Sequence, residues 1–350
     1  MSRFLSNEAA VLAPYTPGEQ PTDAQYIKLN TNESPFPPSP KVIEAISPEA
    51  VGQLNLYSDP TCAILNRAIA KRYGVGEENV ISGNGSDEIL SFAFRAFCGK
   101  EKGVAFADIT YGFYAIWAAL YGLDITRVPL REDFSLCVED YMTFPGTVFI
   151  ANPNAPTGKV LPTSEIRRLL ETNRERIVVV DEAYVDFGSE SCVPLTKEYD
   201  NLLVVQTMSK SRALAGGRVG FAIGNADLIA DLNRVKYSMN PYNINRLSML
   251  AGTAAMEDEA YFQSCIATIC ENRAWTTQQL QGLGFTVMPS ATNFVFAKSP
   301  VHTGEELYRK LKERGVLVRW FNFERVVDYV RITIGSREQM EALIHTLKEL

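Results

Sequence analysis

Lys210 is the residue around which the chemistry of this 350-residue chain is organised. It follows an apolar run at residues 202–205 that predicts a buried strand, which places its amino group near the core. Burial lowers the pKa of a lysine, and the neutral amine is the form that makes imines with carbonyl compounds. Hydroxyls at Thr207 and Ser209, with the guanidinium of Arg218, suit a phosphate held beside such an imine. The alternative is a solvated Lys210 on a loop, with Ser209 as the N-cap of the next helix.

Asp181 and Tyr184 form a second candidate, directly after the most apolar strand predicted in the chain, residues 177–180. An unpaired buried carboxylate is costly, so Asp181 needs a cationic partner, and a protonated pyridine nitrogen would supply one. Tyr184 could offer its hydroxyl to the same ligand. A helix N-cap at Asp181 and an ordinary amphipathic role for Tyr184 are the alternatives.

Two further features suit anions. The glycine turn at residues 83–88 opens an apolar helix, where backbone N–H groups and the Ser86 hydroxyl can hold a phosphate. This turn lacks the lysine of a Walker loop and the Gly-x-Gly-x-x-Gly spacing of a dinucleotide fold. Arg319 and Arg331 lie on strands predicted at 315–320 and 329–334, and their guanidinium groups match carboxylates or phosphates. Arginines on exposed strands are more often simply solvated.

The elements that must position these residues alternate between strand and helix from about residue 103 onward. Continuously apolar strand runs indicate a sheet covered on both faces, and ligands of such α/β folds bind beyond the carboxyl ends of the strands. After about residue 240 the pattern changes to a long helix and an α+β module. We predict a large domain at residues 26–244 with a mixed, mostly parallel sheet, and a small domain comprising residues 1–25 and 245–350.

Composition narrows the functional classes. The formal net charge is −7, and no Lys/Arg run suggests nucleic-acid binding. No segment approaches the roughly 18 apolar residues of a membrane span, and the N-terminus lacks the apolar core of a signal peptide. Six scattered cysteines favour free thiols in a reducing cytoplasm. With only two histidines, neither a metal site nor a Ser-His-Asp triad is expected.

Seven short motifs follow one another along the chain: Asn-Glu near residue 32, Gly-Ser-Asp-Glu, Thr-Tyr-Gly, Asn-Pro-Asn-x-Pro-Thr-Gly, Asp-Glu-Ala-Tyr, Ser-Lys and Gly-x-Arg. Together they resemble the fold type I pyridoxal-phosphate aminotransferases, and within them the histidinol-phosphate aminotransferases. The resemblance runs from Pro14 to the C-terminal helix. It implies pyridoxal phosphate as cofactor, amino transfer between histidinol phosphate and 2-oxoglutarate in L-histidine biosynthesis, and a homodimer with shared active sites.

The resemblance also implies residue roles. Lys210 would carry the cofactor and move the substrate proton, Asp181 would pair with the pyridine nitrogen, and Tyr184 would bond the ring hydroxyl. Tyr111 would stack on the cofactor ring. The phosphate would be held by the backbone N–H groups of Ser86 and Asp87 and by Thr207, Ser209, Arg218 and the neighbouring subunit's Tyr57. The substrate's anionic groups would be bound by Tyr15, Arg319 and Arg331.

The chain departs from the family pattern at Ala155, where an asparagine usually bonds the ring hydroxyl of the cofactor. Alanine cannot make that bond, and Asn154 is expected to point elsewhere. Tyr184 is therefore expected to hold the hydroxyl alone or with a water, at a cost on the order of 1 kcal/mol.

Three related functions stay open at this stage. A lyase like threonine-phosphate decarboxylase would share nearly every motif and would also bind a phosphate. An aromatic amino-acid aminotransferase would need only one strong anion site, so the two arginines count against it. A non-enzymatic regulator on the same fold would normally carry a fused DNA-binding segment, for which this chain has no room.

Overall fold

A seven-stranded sheet organises the chain between residues 80 and 224 in the computed structural model, which describes residues 2–10, 12–22 and 24–350. The α-helices are α1 (Asn7–Ala10), α2 (Pro40–Ala45), α3 (Pro48–Gly52), α4 (Ala63–Tyr73), α5 (Ser86–Phe97), α6 (Phe113–Leu120), α7 (Thr163–Thr172), α8 (Ala226–Met239), α9 (Arg246–Glu257), α10 (Glu259–Gly282), α11 (Gly304–Glu313) and α12 (Arg337–Lys348). The strands are β1 (Ile27–Lys28), β2 (Val80–Gly83), β3 (Val104–Ala107), β4 (Ile125–Val128), β5 (Thr147–Ala151), β6 (Val178–Asp181), β7 (Leu202–Thr207), β8 (Gly220–Gly224), β9 (Thr286–Val287), β10 (Phe294–Lys298), β11 (Val316–Leu317), β12 (Arg319–Trp320) and β13 (Tyr329–Thr333).

The large sheet has the strand order β2-β8-β7-β6-β5-β3-β4. Strands β4, β3, β5, β6 and β7 run parallel, whereas β8 is antiparallel to both of its neighbours. Every residue of β6 and β7 is buried, and separate apolar clusters cover the two faces of the sheet. The predicted α/β class with a mixed, mostly parallel sheet is therefore confirmed.

A smaller sheet in the C-terminal part has the order β12-β13-β10-β9. The prediction of a single strand at residues 315–320 is wrong, because the chain pairs with a different strand on each side of the buried residue Val318. Before it, β11 pairs in parallel with β1; after it, β12 pairs antiparallel with β13. Two different neighbours need hydrogen bonds from this segment, so it divides into two short strands.

The two sheets have separate apolar cores. Helix α9, which the sequence patterns did not indicate, packs with α2 and α4 in the core of the large sheet. Helices α10 and α12 pack instead with the small sheet. The domain limits at residues 25/26 and 244/245 stay a prediction. No helix in the described part of the chain is long and apolar enough to cross a membrane.

Candidate active site

Lys210 lies three residues after the end of β7, at the carboxyl edge of the large sheet. Its partly buried Nζ donates to the backbone oxygen of Thr31 at 3.3 Å. Desolvation, with a contribution from the nearby Arg331 guanidinium, lowers the pKa of Lys210 to about 8. A much larger fraction of this amine is therefore neutral near physiological pH than for an ordinary lysine, as imine formation requires.

Asp181 is the last residue of β6, the strand next to β7, and its carboxylate is buried. Oδ2 accepts from the Tyr114 hydroxyl at 2.8 Å, and Oδ1 accepts from the Ala183 N–H at 3.2 Å. Desolvation outweighs these bonds and raises the pKa of Asp181 to about 6. Both donors are neutral, so a cationic ring nitrogen in the adjoining cavity would supply the positive charge that the buried Asp181 carboxylate lacks.

Tyr114 was missed by sequence analysis. It follows Tyr111 by three residues, at the start of α6, and the two rings meet edge to face with 5.6 Å between their centroids. That spacing was visible in the sequence. Its partner, Asp181, lies 67 residues further along the chain, so no local pattern in the sequence connects the two residues.

The start of α5 and Arg218 together form an anion cradle, which we define as Ser86, Asp87, Ser209 and Arg218. The guanidinium of Arg218 lies 3.2 Å from Asp87 Oδ2 and 3.4 Å from Ser209 Oγ. The first N–H groups of a helix have no partner within it, so those of α5 are available to an anion. Gly85, with φ +83°, leaves room for the guanidinium of Arg218, since a Cβ there would lie 2.5 Å from an Arg218 nitrogen. The same cavity is lined by Thr207 and Lys210.

Tyr111 and Tyr184 also line this cavity. The Tyr111 hydroxyl donates to Asp87 Oδ1 at 2.7 Å, which fixes the ring beside the cradle. The Tyr184 hydroxyl accepts from Asn32 Nδ2 at 2.8 Å, so its own proton remains available to a ligand. Asn32 is a second residue that sequence analysis missed. It lies in the predicted Asn-Glu motif, but nothing local connects that motif with Tyr184.

As expected, the Asn154 side chain is bound outside the cavity, whereas Ala155 lines it. Asn154 Nδ2 donates to the backbone oxygen of Ile109 and to Thr157 Oγ1, both at 3.0 Å, and its Oδ1 accepts from Thr110 Oγ1 at 2.9 Å. Asn154 thus supports the segment that carries Tyr111, while Ala155 lines the cavity with a methyl group. Because Ala155 has no polar side-chain atom, the Tyr184 hydroxyl, which Asn32 orients, is left to donate to the ring oxygen of a bound cofactor.

A cleft of about 960 Å³ opens beside Lys210 and contains Tyr15, Arg319 and Arg331. The two arginines are directly opposite each other on β12 and β13. Like charges in such a cross-strand pair destabilise a sheet, so this pair is typical of a site that binds anions. Arg331 Nη2 donates to the Asn30 backbone oxygen at 3.1 Å, whereas its buried Nε has no partner among the described residues.

Tyr57 is the one predicted site residue that does not line either cavity of its own chain. Its ring is 81% exposed and stacks on Tyr242 with 4.6 Å between centroids. Any contact between Tyr57 and the cradle would therefore have to come from another copy of the chain.

The donor set fits pyridoxal phosphate, the cofactor implied by the sequence resemblance. A depressed-pKa amine at Lys210, a buried carboxylate at Asp181 and the anion cradle meet in one cavity. These three groups match the cofactor's carbonyl, ring nitrogen and phosphate respectively. In the described part of the chain, no group of His, Cys, Asp and Glu side chains could hold a metal ion.

Comparisons with known proteins identify the family of the chain. The model of the family "Aminotransferase class I and II" matches residues 24–347. A histidinol-phosphate aminotransferase from Marinomonas sp. (strain MWYL1) is 52% identical, over 100% of both chains. The crystal structure of the histidinol-phosphate aminotransferase from Clostridium acetobutylicum has a TM-score of 0.85 and 25% identity, and covers 92% of this chain and 98% of that one. The enzyme of the same name from Sinorhizobium meliloti, solved in complex with pyridoxal 5'-phosphate, has a TM-score of 0.84 at 24% identity, covering 92% and 90%. This chain belongs to the class I and II aminotransferase family.

Proposed function

We propose that this enzyme transfers an amino group between histidinol phosphate and 2-oxoglutarate, with pyridoxal phosphate as cofactor, in L-histidine biosynthesis. The observation that carries the proposal is the cross-strand arginine pair, Arg319 and Arg331, in the same cleft as Lys210. The full-length identity of 52% to a histidinol-phosphate aminotransferase supports it.

The arginine pair suits a reaction whose two half-reactions present different anions to one cleft. Glutamate brings two carboxylates, and histidinol phosphate brings a phosphate but no carboxylate. A guanidinium binds either group through paired N–H donors, so Arg331 serves both substrates, with Arg319 and Tyr15 at the distal anion. A purely aromatic substrate would leave one of two closely spaced cations uncompensated.

The protein groups act around the cofactor, which, when bound, supplies the carbonyl that takes up the amino group and a ring that accepts electrons. Lys210 Nζ removes the proton from the substrate Cα, a task suited to its lowered pKa. Asp181 would keep the pyridine nitrogen protonated, Tyr184 would hold the ring oxygen, and Tyr111 would stack on the ring. The anion cradle and Thr207 would anchor the phosphate.

A substrate panel with the purified holoenzyme tests this function. We expect histidinol phosphate with 2-oxoglutarate to give glutamate, with a specificity constant at least about tenfold above those of phenylalanine and tyrosine, because neither offers a distal anion. Carbon dioxide release from threonine phosphate would favour the decarboxylase-like lyase. A preference for phenylalanine or tyrosine would favour an aromatic aminotransferase. Either result would contradict the proposal.

We further propose that the enzyme is a cytoplasmic homodimer with active sites completed across its interface. Exposed apolar side chains cluster in sequence around Tyr57: Ile43 is 63%, Leu54 52% and Leu56 59% exposed. Such a surface is typical of a subunit interface. Tyr57 would reach the cradle of the partner, where a phenol can donate to a phosphate oxygen.

Mixing two impaired variants tests the shared site. Lys210→Ala and Tyr57→Phe are each expected to lower activity, since each removes a group from both sites of its own homodimer. A hybrid dimer would contain one site with both lesions and one with neither. We therefore expect mixing and subunit exchange to restore up to about half of wild-type activity per hybrid. Mixing Lys210→Ala with Lys210→Arg is the control and should restore nothing. A monomer by sedimentation, or two impaired variants that never complement, would contradict the shared site.

A further inference from the structure

A small apolar cluster connects the two sheets beside the cleft. It contains Ala107, Ile109, Leu130 and Phe134 from the part with the large sheet, and Phe296 and Val326 from the part with the small sheet; we call it the bridging cluster. Each of its six members is at most 5% exposed. The cluster is separate from the core of either sheet, and it packs side chains of the two parts against each other.

Arg325 covers this cluster from the loop between β12 and β13, residues 321–328. Its Nη1 donates to Asp108 Oδ2 at 2.9 Å, and its Nη2 donates to the backbone oxygens of Leu130 and Arg131 at 2.8 and 2.7 Å. The guanidinium also lies 5.7 Å from the centre of the Phe134 ring. All four contacts reach from the small-sheet part to the large-sheet part, and one side chain makes them.

The backbone at Arg325 is in the left-handed region, with φ +68°. Non-glycine residues rarely adopt it, and the cost is tolerated where surrounding contacts determine the conformation. Val326, the next residue, is fully buried in the bridging cluster. The side chain of Arg325 and the anchoring of Val326 together supply those contacts.

Asp108 connects this contact to the cofactor cavity. It follows β3 directly, and its other oxygen, Oδ1, accepts from the N–H groups of Ile109 and Leu130 at 2.8 and 2.9 Å. Three residues further on is Tyr111, which lines the cofactor cavity. The carboxylate of Asp108 thus fixes the segment that presents Tyr111 and binds Arg325 at the same time.

The loop that Arg325 anchors also borders the anion site. Phe321, at its start, lines the cleft, and its ring centre lies 5.5 Å from the Arg331 guanidinium and 5.7 Å from that of Arg319. The loop directly joins β12, which carries Arg319, to β13, which carries Arg331. Its attachment to Asp108 therefore connects the loop between the two arginines with the segment that presents Tyr111.

We propose that Arg325 is a positioning residue for substrate: by binding Asp108 it holds the arginine pair at the working distance from the cofactor cavity. The identity of the substrates rests on the proposed function, but the placement of the anion site does not. Without Arg325 the loop loses its charged contact with Asp108, and anions bind more weakly to a site whose cofactor remains in place.

The test uses Arg325→Ala and Arg325→Lys in the holoenzyme. For Arg325→Ala we expect KM for histidinol phosphate and for 2-oxoglutarate to rise about tenfold, with kcat changed less than about threefold. Arg325→Lys should recover part of the loss, because it keeps a charge for Asp108 but lacks the second nitrogen that donates to the backbone oxygens of Leu130 and Arg131. Cofactor content and its absorbance spectrum should not change.

Lys298→Ala is the matched control. Lys298 binds Asp328 in the same loop at 2.7 Å, but both residues belong to the small-sheet part. Its loss should leave both KM values unchanged. Asp108→Asn keeps an acceptor oxygen for Ile109 and Leu130 while removing the charge, so it should reproduce part of the Arg325→Ala effect. Combined with Arg325→Ala, it should add little.

An anion-binding measurement separates this proposal from the proposed function. Inorganic phosphate and succinate, titrated into the holoenzyme and followed by thermal shift, should bind about tenfold more weakly to Arg325→Ala even if histidinol phosphate is not a substrate. Unchanged anion binding and KM values within twofold of wild type would overturn the role of Arg325. If Arg325→Ala does not fold, Arg325→Lys and Asp108→Asn decide the question by the same criteria.

Discussion

Replacing Lys210 with alanine is expected to lower the transamination rate by at least about 10⁴-fold. In the proposed mechanism, the substitution removes both the amine that would hold the cofactor and the base that would move the Cα proton. Lys210→Arg should be as inactive as Lys210→Ala, since a guanidinium keeps the positive charge but cannot be deprotonated in a protein. Equal loss in both variants would show that the neutral amine, rather than the charge, is required.

Borohydride reduction of the wild-type holoenzyme gives an independent measurement. We expect the reduced cofactor to be fixed on Lys210, located by peptide mapping, because Lys210 is the lysine in the cofactor cavity and its pKa is lowered to about 8. The exposed Lys71 provides the control: Lys71→Ala should retain activity and labelling. An adduct on another lysine, or substantial turnover by Lys210→Ala, would refute the assignment of the site.

The sequence was sufficient to predict the part of the site that lies at strand ends. Parallel strands have their carboxyl ends at one edge, so polar residues directly after apolar runs come together there. Asp181 ends β6, and Lys210 closely follows β7, and the two strands are neighbours in the sheet. Hydrophobic periodicity and composition are local properties of the sequence, so this arrangement can be predicted from them without knowing the side-chain contacts.

The rest of the site depends on contacts between distant segments. Asn32 and Tyr184 are 152 residues apart, and Arg325 and Asp108 are 217 apart. Arg319 and Arg331 lie opposite each other only in the observed register of β12 against β13, which a one-residue slip would change. No local pattern specifies such pairings, so the sequence identified both arginines as candidates without showing that they are cross-strand partners.

Arg331→Ala is expected to lower kcat/KM by at least about a hundredfold for glutamate and histidinol phosphate alike. Loss of one partner of a desolvated charge pair costs about 2–5 kcal/mol, and about 2.7 kcal/mol corresponds to a hundredfold. Arg331 is held between the rings of Phe294 and Phe321, 5.3 and 5.5 Å from their centres, so its guanidinium is fixed before an anion binds. Arg331→Lys should be intermediate, because an ammonium lacks the planar fork.

Steady-state kinetics on both substrates measure this effect, and the cofactor spectrum provides the internal control. Cofactor content should be unchanged, since the anion cradle is built from α5, Ser209 and Arg218 without Arg331. Arg337→Ala, which removes a surface arginine bound to Glu271 at 3.4 Å, should leave the kinetics unaffected. Arg319→Ala should lower kcat/KM for glutamate less than Arg331→Ala does. Tyr15 also lines the cleft and can still donate to the distal carboxylate. Near-wild-type kinetics of Arg331→Ala for both substrates would place the anion site elsewhere and would remove the main residue-level support for histidinol phosphate as the substrate.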